Sequence, residues 1–130
     1  MTDRLKVAGI DHLVLTVEDL EATVEFYTRV MGMSVRAFER GRLALRFGSQ
    51  KINVHEAGQE FEPHALRPIP GSADLCFVTE AKLDEWADHL AASGVDLVEG
   101  PVPRLGALGP MTSLYFRDPD GNLIEVSSYS

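Results

Sequence analysis

Four side chains in this 130-residue chain have the chemistry to hold a divalent cation: His12, His55, Asp74 and Glu125. Imidazole nitrogens and carboxylate oxygens together suit zinc, iron, nickel or manganese, and a six-coordinate ion held by three or four of them keeps positions open for a substrate. A carboxylate can also leave the metal and move a proton, which makes Glu125 the candidate catalytic base, with Asp74 in that role if it binds loosely. Arg46, Arg104 and Tyr115 are candidates for substrate contact, Arg104 as a cation for an anionic group. Taken singly, a strand histidine more often serves as a hydrogen-bonding residue and a strand carboxylate as a solvated charge. An architecture has to join them.

The apolar pattern supplies one. Ile10 to Val17 is β-rich and ends at Glu18-Asp19, where Asp19 can cap a following helix. Leu20, Val24, Tyr27 and Met31 recur at helical spacing and predict a helix over 20–31, closed by Gly32. Strands are expected at Met33 to Phe38, Leu43 to Phe47 and Lys51 to His55. Residues 57–71, with Pro63, Pro68, Pro70, Gly58 and Gly71, read as a linker. The pattern then restarts. Ala73 to Thr79 is a strand, Leu83, Trp86, Leu90 and Ala91 form a helical stripe, and Gly94 closes that helix 62 positions after Gly32. Val95 to Glu99 reads as a strand, Gly100 to Pro110 as a Gly/Pro loop, and Met111 to Phe116 and Asn122 to Val126 as the last strands. The expectation is an α+β fold: one domain over 1–130, built of two tandem βαβββ modules at about 8–56 and 72–128, forming a cup-shaped mixed sheet.

Each module has one helix to cover one sheet face, so the other face must find a partner or line a cavity. Alternation puts Leu13, Leu15 and Val17 on the helix side and His12, Val14 and Thr16 on the open side. Leu75 and Phe77 likewise oppose Asp74 and Cys76, Ile52 and Val54 oppose Asn53 and His55, and Ile124 and Val126 oppose Leu123 and Glu125. Under the repeat His12 matches Asp74, and His55 is read as matching Glu125. Arg46 and Tyr115 fall on the open side, and the loop carrying Arg104 reads as a lid over the cup. Asp118-Pro119-Asp120-Gly121 reads as a turn that positions Glu125. Phe26, Tyr27 and Trp86 read as core, His64 and His89 as solvated.

With 45% hydrophobic and 25% charged residues the chain has the composition of a globular domain rather than a disordered or low-complexity segment. Its formal net charge of -8 repels phosphate backbones and lipid headgroups, which argues against nucleic-acid and membrane partners. Cys76 is the single cysteine, so no intrachain disulfide or Cys-rich zinc motif exists. That fits a reducing compartment, and with no signal-peptide pattern and no apolar run near 18 residues the expected location is cytoplasmic.

Three segments carry a family resemblance: Asp11 to Val17, Phe26-Tyr27 followed by Met31-Gly32-Met33, and Tyr115 to Val126 through Asp118-Pro119-Asp120-Gly121. Over its full length the chain resembles the vicinal oxygen chelate superfamily, which includes glyoxalase I, fosfomycin resistance proteins, extradiol dioxygenases and bleomycin-binding proteins. Phe47 to His55 and Gly100 to Arg104 resemble its glyoxalase-domain-containing, virulence-type branch. The resemblance implies metal ligands on the first and last strands of each module, which are the positions of His12, His55, Asp74 and Glu125. It also shows a departure. Glyoxalase I has carboxylates at both last-strand positions, where this chain has His55 at one, and Asp74 stands where a second first-strand histidine is expected.

The function so implied is a metal-dependent, glyoxalase-like lyase or isomerase that chelates two neighbouring oxygens of a small substrate through zinc, nickel, manganese or iron. One alternative is a metal-free drug-binding protein of the bleomycin-resistance type, for which the net charge favours a cationic guest. Another is a ring-cleaving extradiol-type dioxygenase using His12, His55 and Glu125. Modules of about 60 residues bury little surface and expose edge strands, so a symmetric homodimer with two metal sites is expected.

Overall fold

The computed structural model describes residues 4–130. The chain runs β1 (His12–Val17), α1 (Leu20–Arg29), β2 (Ser34–Phe38), β3 (Arg42–Phe47) and β4 (Gln50–Glu56), then β5 (Asp74–Val78), α2 (Leu83–Ala92), β6 (Glu99–Gly106), β7 (Gly109–Arg117) and β8 (Leu123–Ser128). This is βαβββ twice. The mixed sheet takes form as two four-stranded sheets, ordered β1-β4-β3-β2 and β5-β8-β7-β6. In each, the first and last strands of the module pair in parallel: β1 beside β4, β5 beside β8.

Local chemistry sets the element ends. Asp19 caps α1 by accepting from the Ala22 amide at 3.1 Å, and Gly32 turns the chain out with φ +70°. The apolar stripe of α1 buries Phe26 and Tyr27 against Leu15, Val17, Leu45, Ile52 and Val54, while Leu83 and Leu90 of α2 join Leu114, Phe116, Ile124 and Val126. These residues form one continuous core. Phe26 and Phe116 rings lie 6.3 Å apart and Phe47 and Phe77 rings 5.3 Å apart, so the helix-side faces of the two sheets converge. Each such buried aliphatic or phenyl group stabilises by about 1.5–3 kcal/mol.

Polar ties join the modules as well. The Tyr27 hydroxyl donates to Asp118 Oδ2 at 2.7 Å, Arg29 Nη1 donates to the Ser93 carbonyl at 3.1 Å, and His89 Nε2 lies 2.9 Å from the Val30 carbonyl oxygen. His89 is exposed as expected but also spans the two helices. Trp86 is half-buried and its indole donates to Thr79 Oγ1 at 2.9 Å.

One expectation fails in the second module. Residues 95–98 form no strand, and the stretch expected to be a lid, Gly100 to Pro110, is most of a β-hairpin between β6 and β7. Pro101 and Pro103 obscured it. Both sit on β6, the outermost strand of its sheet, where a missing N–H is tolerated. A register shift between Glu99 and Val102 absorbs Gly100 at φ +116°, whose Cβ, if present, would lie 2.6 Å from the Ser113 carbonyl oxygen. Arg104 is therefore held on a paired strand.

Candidate functional site

The strand registers decide which polar residues can act together. On the open face of the first sheet the rows read His12, Lys51, Arg46, Ser34, then Val14, Asn53, Ala44, Arg36, then Thr16 beside His55. On the second sheet they read Asp74, Leu123, Arg117, then Cys76, Glu125, Tyr115, Glu99, then Val78, Ser127, Ser113, Val102. His12 and Asp74 hold the same place, as the sequence suggested. His55 and Glu125 do not. In the frame where His12 pairs with Lys51 and Asp74 with Leu123, the counterpart of Glu125 is Asn53, and that of His55 is Ser127. The sequence reading slipped by two residues, which preserves the face but moves the side chain about 6.6 Å along the strand.

His55 is also far from His12. It lies four residues beyond Lys51, His12's partner, which is about 13 Å of strand. No group of three or more His, Cys, Asp or Glu among the described residues is arranged to hold a metal ion. The four candidates occur on the predicted faces but are not gathered within one chain.

His12 is exposed, and its Nδ1 sits 2.8 Å from Asp11 Oδ1. That contact and His12's charge, aided by Lys51 and Arg46, hold the Asp11 carboxyl below its usual value. A carboxylate on one ring nitrogen fixes the imidazole and leaves Nε2 to bind.

Glu125 anchors a connected polar group on the second sheet. Ser127 Oγ donates to Glu125 Oε2 at 3.2 Å and is 2.6 Å from Ser113 Oγ and 3.2 Å from Cys76 Sγ. Across the next strand pair, Arg104 Nε donates to the Tyr115 hydroxyl at 2.8 Å, and Arg104 Nη2 is 3.3 Å from Glu99 Oε1. Burial raises the Tyr115 phenol above its usual range; the Arg104 bond opposes this and the Glu125 carboxylate reinforces it. Burial likewise raises the Cys76 thiol, opposed by Ser127 and reinforced by Glu125 and Asp74, so it is no thiolate nucleophile. Ser113 and Ser127, which complete this group, are both fully buried and carried no sequence signal beyond their alternation.

The turn before β8 sets the depth of Glu125. Asp118 Oδ1 accepts from the amides of Asp120 and Asn122, each at 2.9 Å, and Gly121 closes the reversal by donating to the Asp118 carbonyl at 3.0 Å. The predicted turn is present and Asp118 is its centre.

The two open faces differ in charge. Arg36, Arg46 and Lys51 stand in the rows of the first sheet, with Arg42 on the same side of β3. Asp74, Glu125 and Glu99 stand on the second, offset in part by Arg117 and Arg104 on the same side. His55 belongs to neither cluster of ligands. It is 6% exposed and faces the edge of Phe61 at 5.6 Å between ring centroids. Burial, then the Arg42 charge, lower its pKa.

Comparison with known proteins places this geometry. The description of the Glyoxalase/Bleomycin resistance protein/Dioxygenase superfamily matches residues 9–126. The chain is 57% identical over 126 residues to the Glyoxalase domain-containing protein RDO1 of Mycosarcoma maydis, covering 97% of this chain and 71% of that protein. It is 54% identical over 120 residues to Virulence protein STM3117 of Salmonella typhimurium, covering 92% and 83%. The crystal structure of STM3117 superposes with a TM-score of 0.94 over 96% of this chain and 99% of that one. Metallothiol transferase FosB of Shouchella clausii is 29% identical over 128 residues, covering 92% and 80%.

Proposed function

The chain belongs to the Glyoxalase/Bleomycin resistance protein/Dioxygenase superfamily, and on that premise we propose that it is a metal-dependent enzyme acting on a small molecule with two neighbouring oxygen donors. The observation that carries the reading is positional. His12 and Asp74 occupy the same place in the two modules, and Glu125 lies one row further on the strand beside Asp74. All three are on open faces, and the Asp11 contact engages His12 Nδ1, leaving Nε2 to bind.

The donor set fits a divalent cation by type: one imidazole and two carboxylates, the set that suits iron, manganese, nickel or zinc. His12, Asp74 and Glu125 would hold it, and when bound it would supply Lewis-acid polarisation of the chelated oxygens. His55 is left out of this set because of its register.

The chain's own residues supply the remaining chemistry. Glu125 is oriented by Ser127 and is the group to accept a proton from the substrate carbon or hydroxyl. Tyr115, opposite Glu125 in the strand pairing and held in its protonated form, has a hydroxyl hydrogen to offer the substrate. Arg104, fixed by Tyr115 and Glu99, presents a cation to an anionic substituent. A lyase or isomerase reaction of the glyoxalase kind needs these roles and no further nucleophile.

Since one chain does not gather the three ligands, the basic face of one copy would meet the acidic face of another in a symmetric homodimer with two metal sites. The excess of cations on the first face over the near-balanced second face, whose Asp74 and Glu125 are not paired with a cation, supports this pairing. The test is metal content after loading with zinc, nickel, manganese or iron, followed by turnover on thiol adducts of 2-oxoaldehydes, catechols and epoxides. One bound ion per chain with turnover of one class supports the enzyme.

A second reading has its own observation. Because three ligands are not assembled among the described residues, a metal-free protein that binds a small organic molecule uses the same faces without rearrangement. Tight ligand binding with no retained metal and no turnover would favour it.

A further inference from the structure

A second concavity lies apart from Asp74, Glu125, Tyr115 and Arg104. The crossover between β4 and β5 folds back against the open face of β1 and forms with it a half-open cavity of about 530 Å³. Val14, Pro68 and Ile69 contribute apolar wall, and Thr16, His55 and Arg67 contribute polar groups. The volume is in the range of small-molecule sites.

Among the polar wall residues, Thr16, His55 and Arg67 keep capacity for a ligand. His55 is 6% exposed, lines the cavity, and its Nδ1 has no hydrogen-bond partner in the protein. Arg42, adjacent to His55 and stacked 4.4 Å over the Phe61 ring, likewise has a buried and unpartnered Nε. Two orphaned nitrogens on neighbouring strands are unusual, since buried polar groups are nearly always paired. The other polar wall residues are already committed. Asn122 Oδ1 accepts from the Ala73 amide and its Nδ2 donates to Asp118, Ser72 donates to the Ile69 carbonyl, and His64 is engaged by Ala65 and Glu62.

No aspartate or glutamate lines the cavity, in a chain whose net charge is -8. A cationic guest would find no carboxylate in the wall itself, since Glu62 is spent on His64 at 3.1 Å. A phosphate dianion would find one lining guanidinium, Arg67, and too few further donors. We propose that this cavity binds a small organic monocarboxylate, with its carboxylate held by His55 and Arg67, Thr16 adding a hydroxyl, and its apolar body against Val14, Pro68 and Ile69. The site shares no residue with the metal set His12, Asp74 and Glu125, though Val14 and Thr16 stand on the same face of β1 as His12.

Titration of the full chain with sodium butyrate, followed by amide and imidazole NMR signals, tests the site, with butyramide and inorganic phosphate as parallel probes. Butyrate should saturate and shift Thr16, His55 and Ile69. Arg67→Ala should weaken it about tenfold, the effect of one charge-assisted contact, Thr16→Val should weaken it less, and Glu125→Ala should leave it unchanged. His55→Leu should also weaken it, and if that variant does not fold, Arg67→Ala on the exposed crossover carries the test. Butyramide binding as tightly as butyrate, phosphate binding in its place, binding insensitive to Arg67→Ala, or no saturation by any probe would each overturn the proposal.

Discussion

Removing the Tyr27 hydroxyl isolates the bond that ties the first helix to the turn carrying Glu125. Tyr27 is fully buried, its hydroxyl donates to Asp118 Oδ2 at 2.7 Å, and burial with the Asp118 carboxylate pushes its ionisation far above the usual range, so it is a permanent donor. In Tyr27→Phe the ring stays and no polar atom is stranded on the helix. Asp118 keeps the amides of Asp120 and Asn122 on Oδ1 and the Asn122 side chain on Oδ2. The loss should therefore be one hydrogen bond to a charged group, about 2 kcal/mol. For a domain of this size that lowers Tm by about 7 °C, from an unfolding entropy of about 2.1 cal/mol/K per residue. Asp118→Ala should cost more, about 3–5 kcal/mol, because it strands the Tyr27 hydroxyl and the Asn122 amide in the core. Urea denaturation of the two single variants and the double variant gives the coupling. A Tyr27→Phe loss below about 0.5 kcal/mol, or a coupling near zero, would refute the assignment of this bond as the inter-module tie.

Other variants probe the hairpin, His55 and Tyr115. Gly100→Ala should cost several kcal/mol, since its Cβ would meet the Ser113 carbonyl oxygen at 2.6 Å, whereas Gly32→Ala, at φ +70° in open space, should cost about 1 kcal/mol. Their order in urea midpoint is the check. His55 has a lowered pKa in the fold, so below its ordinary value of about 6.5 the unfolded chain binds more protons, and stability should fall as pH drops through that window toward the folded pKa. His55→Leu should flatten that slope in urea midpoints measured between about pH 7.5 and pH 5. Tyr115→Phe should leave metal content unchanged and lower kcat about tenfold or more, because it removes the donor beside Glu125 and frees Arg104.

The modules, the helix stripes and the open faces were legible because alternation and helical spacing follow directly from which residues bury. Leu13, Leu15 and Val17 against His12 and Thr16 is such a case. The turn at Asp118 was legible because its residue types are the ones tight reversals need. Register was not. Ten more residues separate the first and last strands in the second module than in the first, and nothing in the local pattern says whether Asn53 or His55 is opposite Glu125's place, since both share a face. The β6–β7 hairpin was hidden for a different reason: prolines suppress a strand reading, yet an outer strand tolerates them. The buried Ser113 and Ser127 beneath Glu125, and the cavity under the crossover, arise from contacts between segments remote in sequence.

On the proposed function, His12, Asp74 and Glu125, and not His55, hold a metal ion. Elemental analysis of the loaded protein tests it directly, with His12→Ala, Asp74→Asn, Glu125→Gln and His55→Leu each checked for folding. About one ion per chain is expected in the unaltered protein and in His55→Leu, with a large loss in the other three. Retention of metal by His12→Ala and Glu125→Gln, or its loss from His55→Leu alone, would contradict it.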